Sequence, residues 1–424
     1  MKTRHNVLLK ILFITILSFI ILGFYIDGFS KALYNLYKIQ ITPARLINDF
    51  ILAESIGSAL INSALVGLIG LGIILKTGIT LGGPTFSAVL TIMGFGLFGK
   101  TPLNILPIIF GVFLAAKYTK NRFQDYIIIA LFGTALGPVV SFLAFELGLT
   151  GPFGILIGII LGVITGFILP SLAVSMLHLH QGYNLYNMGL TCGFLGLFIA
   201  GFIKATGHEF ETQLVWYNSG NKILVLLIPV LSLSFILIAF IRGKKAAFKS
   251  FLRIQKIPGR LPSDFMTMES INGALLNCGT LGILGSLYVL AVGGDFNGPV
   301  IGGLLTVMGF GTFGTNLKNS WPVVLGVIIA SLIFGLNLNS PGPLLAAIFV
   351  TTLAPLAGGF GWKIGIIAGV IHLVMVLQTS SWYGGINLYN NGFAGGLTAA
   401  LIVAMIQWYD TNKADLKGSF RSKK

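Results

Sequence analysis

Two stretches of this chain are near-copies of each other. Gly83 to Gly99 reads GPTFSAVLTIMGFGLFG, and Gly298 to Gly314 reads GPVIGGLLTVMGFGTFG. Each opens on Gly-Pro and closes on Met-Gly-Phe-Gly-x-Phe-Gly. Proline suits the first turn of a helix, where its missing N–H costs nothing. The closing glycines loosen the helix and let backbones pack closely. The apolar helix between Pro84 and Gly94 has about ten residues. At roughly 1.5 Å per residue it covers half of a bilayer about 30 Å thick. The pair therefore reads as half-helices that enter the membrane and turn back. Irregular backbone at that depth is tolerated only against protein or a water-filled cavity. A matched pair of Gly/Pro-interrupted segments points to a transporter site.

The copying extends well beyond these stretches. Asp49, Glu54, Ser55, Ala59 and Asn62 recur as Asp264, Glu269, Ser270, Ala274 and Asn277, each 215 residues on. Pro43, Arg45 and Pro107 return as Pro258, Arg260 and Pro322 at the same offset. Further on the offset drifts to 203, where Asn184-Leu185-Tyr186-Asn187 becomes Asn387-Leu388-Tyr389-Asn390. The chain thus divides into a first membrane repeat, 1–206, an external linker, 207–221, and a second membrane repeat, 222–424.

Of 424 residues, 55% are hydrophobic and 9% charged, far from the balance of a soluble domain. Leu156 to Met176 and Ile223 to Ile241 carry no charge at all. The expected fold is an all-α integral membrane protein. The net charge of +15 does not argue for nucleic acid, because the basic residues lie in loops and tails and there is no basic domain interleaved with aromatics. Cys192 and Cys278 sit singly in apolar segments and read as packing residues. The N-terminal apolar run follows Lys2, Arg4 and Lys10 but lacks a small-residue cleavage site, and the repeat includes it; it reads as a retained first span.

One unit gives spans at Val7 to Ile26, Glu54 to Leu75, Leu103 to Ala116, Tyr126 to Leu147 and Phe153 to Leu177, the half-helix, and a last short helix after the Asn-Leu-Tyr-Asn tetrad. Arg242 to Arg260 and the tail from Lys413 are basic, while the linker carries Glu209 and Glu211 and no Lys or Arg. Positive residues favour the cytoplasm, so both termini are expected inside the cell membrane and the linker outside. An odd number of crossings per unit makes the two units inverted structural repeats, each of about five transmembrane helices plus re-entrant half-helices. If the half-helix does not span, Lys117, Lys120 and Arg122 come out external, against the charge rule.

The candidate pathway residues are Gly83, Pro84, Thr91, Asn62, Asn184, Tyr186 and Asn187, with Gly298, Pro299, Thr306, Asn277, Asn387, Tyr389 and Asn390 in the other unit. Amides, hydroxyls and phenols in hydrocarbon need partners, and such groups can line a path for a polar solute. Asn184 and Asn387 also suit helix N-caps. Glu54 and Glu269, at the mouth of the second span, and Asp295, before the second half-helix, are candidates for a gate or for ion coupling. His178, His180 and His372 are expected at the membrane interface. No metal-ligand set, Walker motif or hydrolase triad is present, so neither a metal nor a cofactor is expected, and the chain does not read as an enzyme.

Two families share features with these residues. The helix opening with Gly83-Pro84 or Asn297-Gly298-Pro299 and trailing into glycine-rich turns resembles that of urea transporters, as does the Gly182-Tyr183-Asn184 loop; this covers Gly82 to Ala116 and its twin. The doubled Glu-Ser-Ile, Met-Gly-Phe-Gly-x-Phe-Gly and Asn-Leu-Tyr-Asn pattern more closely resembles an uncharacterised bacterial membrane family, domain of unknown function 1576. That resemblance implies a membrane location and no particular activity.

The expected function is passage of a small polar solute, neutral or anionic, between the two repeats. A membrane-embedded enzyme using the His-x-His loop with Glu54 or Glu269 on a lipid-linked substrate, and an assembly scaffold, are the alternatives. The expected partners are the lipid bilayer and the solute, with no nucleic acid; a homo-oligomer is compatible with this plan.

Overall fold

The computed structural model describes residues 2–149, 151–211 and 214–421. The first half runs α1 (Lys2–Asp27), a surface helix α2 (Phe29–Ile41), a single turn α3 (Phe50–Ala53), α4 (Ile56–Thr77), the short α5 (Gly83–Phe95) and α6 (Pro102–Tyr118). Then come α7 (Ile127–Gly133) and α8 (Gly137–Phe145), two pieces of one interrupted helix, followed by α9 (Gly151–His180) and α10 (Asn187–Ala205). The second half repeats this order. α11 (Lys222–Ile254) bends at Lys244, where φ is 44°, and so covers the length of both α1 and α2. It is followed by α12 (Phe265–Met268), α13 (Ile271–Ala291), the short α14 (Gly298–Phe310) and α15 (Leu317–Ile333). The interrupted pair α16 (Pro341–Phe349) and α17 (Ala354–Phe360), then α18 (Trp362–Trp382) and α19 (Asn390–Arg421), complete the chain. Ten helical stretches among the described residues are long and apolar enough to cross a membrane, five in each half. The only sheet-like pairing among them is a bridge between Asn48 and Val215.

Local chemistry fixes where the short helices begin and end. Asp49 and Asp264 cap α3 and α12, accepting from Ile51 N at 3.0 Å and Met266 N at 2.9 Å. α5 and α14 both carry proline in their first turn. Their last carbonyls end inside the protein, where water is not available to satisfy them. Asn62 of α4 meets that need, donating to Gly96 O at 2.6 Å and Lys100 O at 2.8 Å. Asn277 of α13 does the same for Gly311 O at 2.7 Å and Thr315 O at 2.8 Å. A buried amide on the neighbouring long helix thus stabilises the break.

α5 and α14 pack against each other and run antiparallel. Gly94 faces Gly302, Ser87 faces Gly309, and Gly83 faces Thr312. A Cβ on Gly94 would lie 2.6 Å from Gly302 O, and one on Gly302 2.5 Å from Gly94 O. Glycine is required here for the backbones to touch. Thr91 and Thr306 fall near the crossing. Similar contacts hold α6 to α9, where Gly111 meets Val163 O, and α15 to α18, where Gly326 meets Ile366 O.

After α5 and α6 the chain comes back beside the end of α4. The Gln124 side chain donates to Thr77 O at the end of α4. Lys117, Lys120 and Arg122 therefore share a face with Lys76.

Candidate functional site

A cavity of about 440 Å³ lies between the halves, with Thr91 and Thr306 among its lining residues. Aromatic rings make much of its wall: Phe95, Phe132, Phe310, Phe349, Tyr186 and Tyr389. They touch one another in symmetric pairs. Phe95 and Tyr389 have centroids 4.6 Å apart, and Phe310 and Tyr186 4.4 Å apart. The interrupted helices place Phe132 and Phe349, and the tetrads place the two tyrosines. Leu185 N donates to Thr352 O at 2.9 Å, and Leu388 N to Ala135 O at 3.0 Å, so each tetrad is pinned into the gap of the opposite half's interrupted helix.

Of the residues singled out in sequence, Pro84, Thr91, Thr306, Tyr186, Asn187 and Tyr389 line this cavity. The others are engaged elsewhere. Asn62 and Asn277 are occupied by the backbone carbonyls described above. Asn184 and Asn387 fold the tetrads, accepting from Tyr186 N at 3.3 Å and Tyr389 N at 3.0 Å, two residues on rather than at the start of the next helix. Asn187 and Asn390 tie α10 and α19 to the helices before them. Asn187 donates to Ala173 O at 3.1 Å and meets His180 Nε2 at 2.9 Å; Asn390 donates to Val376 O at 3.0 Å and accepts from Thr379 Oγ1 at 2.7 Å. The amides mostly satisfy backbone and buried side chains, so the lining is aromatic and hydroxylic rather than amide-rich.

The candidate gate acids are also placed away from the cavity. Glu54 lies 4.0 Å from Lys38 and accepts from Thr42 at 3.3 Å; Glu269 pairs with Arg253 at 2.7 Å. Each is an ion pair with its own half's surface helix. Asp295 accepts from the Trp216 indole at 3.1 Å, in the linker. His180 and His372 are fully buried, and each bonds an asparagine, Asn187 or Asn391. His178 is exposed.

Gly83 and Gly298, at the N-termini of the short helices, are met by carboxylates from the opposite half. Gly83 N donates to Asp264 Oδ1 at 3.2 Å, and Gly298 N to Asp49 Oδ2 at 3.3 Å. These N-termini lie at opposite ends of the antiparallel pair, about 10 Å from the crossing at 1.5 Å per residue. The partial positive charge at each N-terminus is thus off-centre and met by a carboxyl of the opposite half. Burial pushes the Asp49 carboxyl up to about 7, against the pull of the N–H groups of Ile51, Gly298 and Tyr217; burial raises Asp264 as well.

A buried lysine behind the cavity wall was not among the residues singled out in sequence. Lys100, in the turn between α5 and α6, is fully buried. Its Nζ donates to Thr134 Oγ1 at 2.7 Å and to Tyr389 OH at 2.6 Å, and lies 4.5 Å from the Tyr389 ring centroid. No carboxylate pairs with it among the described residues. In the other half its position is held by Thr315, and Tyr186 OH instead meets Thr351 Oγ1 at 3.4 Å. The signal was available: a lysine in an apolar stretch, where the second copy has threonine.

The cavity is not symmetric either. Pro84, Leu261, Pro262 and Ser263 line it, but their counterparts Pro299, Leu46, Ile47 and Asn48 do not. On that second side the linker is laid across: Val215 N donates to Ile47 O at 3.0 Å and Asp49 N to Val215 O at 3.1 Å.

Apolar helices of spanning length around a central cavity define a multi-pass α-helical membrane protein. More particularly, residues 29–205 and 243–408 match the family described as protein of unknown function (DUF1576), and the chain belongs to that family. No curated protein and no solved structure matches the chain, so the likeness to urea transporters rests on the residues quoted for it alone.

Proposed function

We propose that the protein passes a small solute across the cell membrane through the cavity between its halves, and that the halves are inverted repeats with both termini cytoplasmic. The observation that carries this reading is the cavity itself, at the crossing of two short antiparallel helices contributed one by each half. Binding between repeats near the midplane is the plan of many secondary transporters. α5 with α6, and α14 with α15, act as re-entrant hairpins, giving five crossings per half. The basic residues Lys76, Lys117, Lys120 and Arg122 then fall on the cytoplasmic side, as the distribution of lysine and arginine in membrane proteins favours. The cavity in this state faces the cytoplasm, past Pro84 and Ser263, with the linker closing the external side. The solute is small, neutral or anionic, and has an apolar body, since rings and hydroxyls surround it and no acid is there to hold a cation.

Uptake into proteoliposomes with neutral, anionic and cationic solutes tests the reading. A cysteine at Thr306, in a chain with Cys192 and Cys278 replaced by alanine, should let a thiol reagent block flux. Absence of flux for every solute, or flux of cations alone, refutes it.

A further inference from the structure

We infer that the cavity is a binding site for an organic monoanion, with its acidic end held at Thr91 and Tyr389 under the charge of Lys100 and its apolar body among the surrounding rings. The inference rests on the proposed passage and names the class of solute.

Three groups on one wall carry it. Thr91 Oγ1 is buried, lines the cavity and has no hydrogen-bond partner among the described residues, whereas Thr306 donates to Gly302 O at 2.8 Å. An unspent buried hydroxyl costs stability unless something occupies it. Thr91 lies one helical turn from Phe95, on the same face of α5, and Phe95 packs on Tyr389. Tyr389 accepts the Lys100 hydrogen bond, and its own proton has no acceptor among the described residues. The tyrosine is therefore a donor backed by a lysine, aimed from the wall that Thr91 shares.

Lys100 supplies the sign. With only hydroxyls and two rings around it among the described residues, Lys100 lacks a counter-charge. Removing a charge from water without one is costly, so burial lowers the proton affinity of the lysine until an anion binds beside it. A carboxylate, or an anion of similar size, at Tyr389 supplies that counter-charge without adding an acid to the protein. A neutral isostere leaves it unsupplied, and a cation meets repulsion. The pairing is charge-assisted through the phenol, the stronger kind of hydrogen bond. The rings of Phe95, Phe132, Phe310 and Phe349 offer nothing further to a charge, so they suit an apolar body. Thr315 in place of Lys100 makes the second half neutral, so the site holds one anion rather than two.

Benzoate, benzyl alcohol and benzylamine share a body and differ in charge, and are suitable probes. Thermal unfolding and calorimetric titration of the purified full chain should show binding of benzoate, with the other two at least roughly tenfold weaker. Lys100→Thr, which installs the residue of the other half, and Tyr389→Phe, which removes only the hydroxyl, should each abolish benzoate binding; Lys100→Arg should restore part of it. If Lys100→Thr does not fold, Tyr389→Phe decides. Equal binding of benzylamine or benzyl alcohol, no benzoate binding to the wild type, or retained benzoate binding in folded Tyr389→Phe overturns the inference. Lysine-dependent benzoate binding without uptake would leave the site standing and sink the passage. Uptake of a neutral solute with no anion binding would do the reverse.

Discussion

Asp49 accepts a hydrogen bond at 3.3 Å from the backbone N–H of Gly298, 249 residues further along the chain. The carboxylate belongs to the first half and the helix N-terminus to the second. Asp264 and Gly83 make the same contact in the opposite sense at 3.2 Å. Each half thus adds a carboxyl acceptor to the N-terminus of the other half's short helix, and the two copies are fastened together at both ends of the central pair.

This fastening titrates. The Asp49 carboxyl is held near 7 against an ordinary 3.8. Between those values the folded protein binds more protons than the unfolded chain, so this group's contribution to stability falls as pH rises from about 4 to about 7 and is flat beyond. Asp49→Asn keeps an acceptor oxygen but cannot ionise. The difference in melting temperature between wild type and variant should change across that window and level off above it. An unchanged difference from pH 4 to 8 would show that the carboxyl does not titrate there. Asp49→Ala, which removes the cap, should cost about 1 kcal/mol.

The crossing of α5 and α14 admits no side chain. Gly302→Ala places a methyl group against the Gly94 carbonyl, which cannot move without its helix. The expected loss is about 1–3 kcal/mol. Gly72, in α4, faces open space, and Gly72→Ala should be neutral or stabilising by up to about 1 kcal/mol. Denaturation in mild detergent compares the two. Equal tolerance at both positions would mean that the helices do not touch as described.

The proposed topology sets three loops on defined sides. Single cysteines at Lys117 and Lys245 should react with an impermeant reagent from the same side of the membrane, and one at Glu209 from the other. Labelling of Lys117 together with Glu209 would undo the hairpin, and labelling of all three from one side would undo the inversion.

The membrane class was legible in the chain because apolar runs of bilayer length have no other economical use. The doubling was legible because matched residues at a fixed offset leave their trace without any fold. The place where each short helix stops was legible too, in Gly-Pro and Met-Gly-Phe-Gly. The role of the asparagines was not. An amide in an apolar segment needs partners, but sequence does not say whether these are solute or backbone. In Asn62, Asn277, Asn187 and Asn390 the backbone is among them, because helix breaks and tetrads leave carbonyls stranded away from water.

By itself the sequence determined a doubled, all-helical membrane chain with a matched short helix in each copy. Local composition and spacing suffice for that. Only the tertiary structure decided that the short helices lie side by side and antiparallel, with their N-termini capped from the opposite half. It alone decided that Lys100 stands behind Tyr389, 289 residues away, at the wall of the cavity between the halves. Those relations depend on which surfaces the two copies present to each other, and packing of that kind has no signature along one copy of the chain.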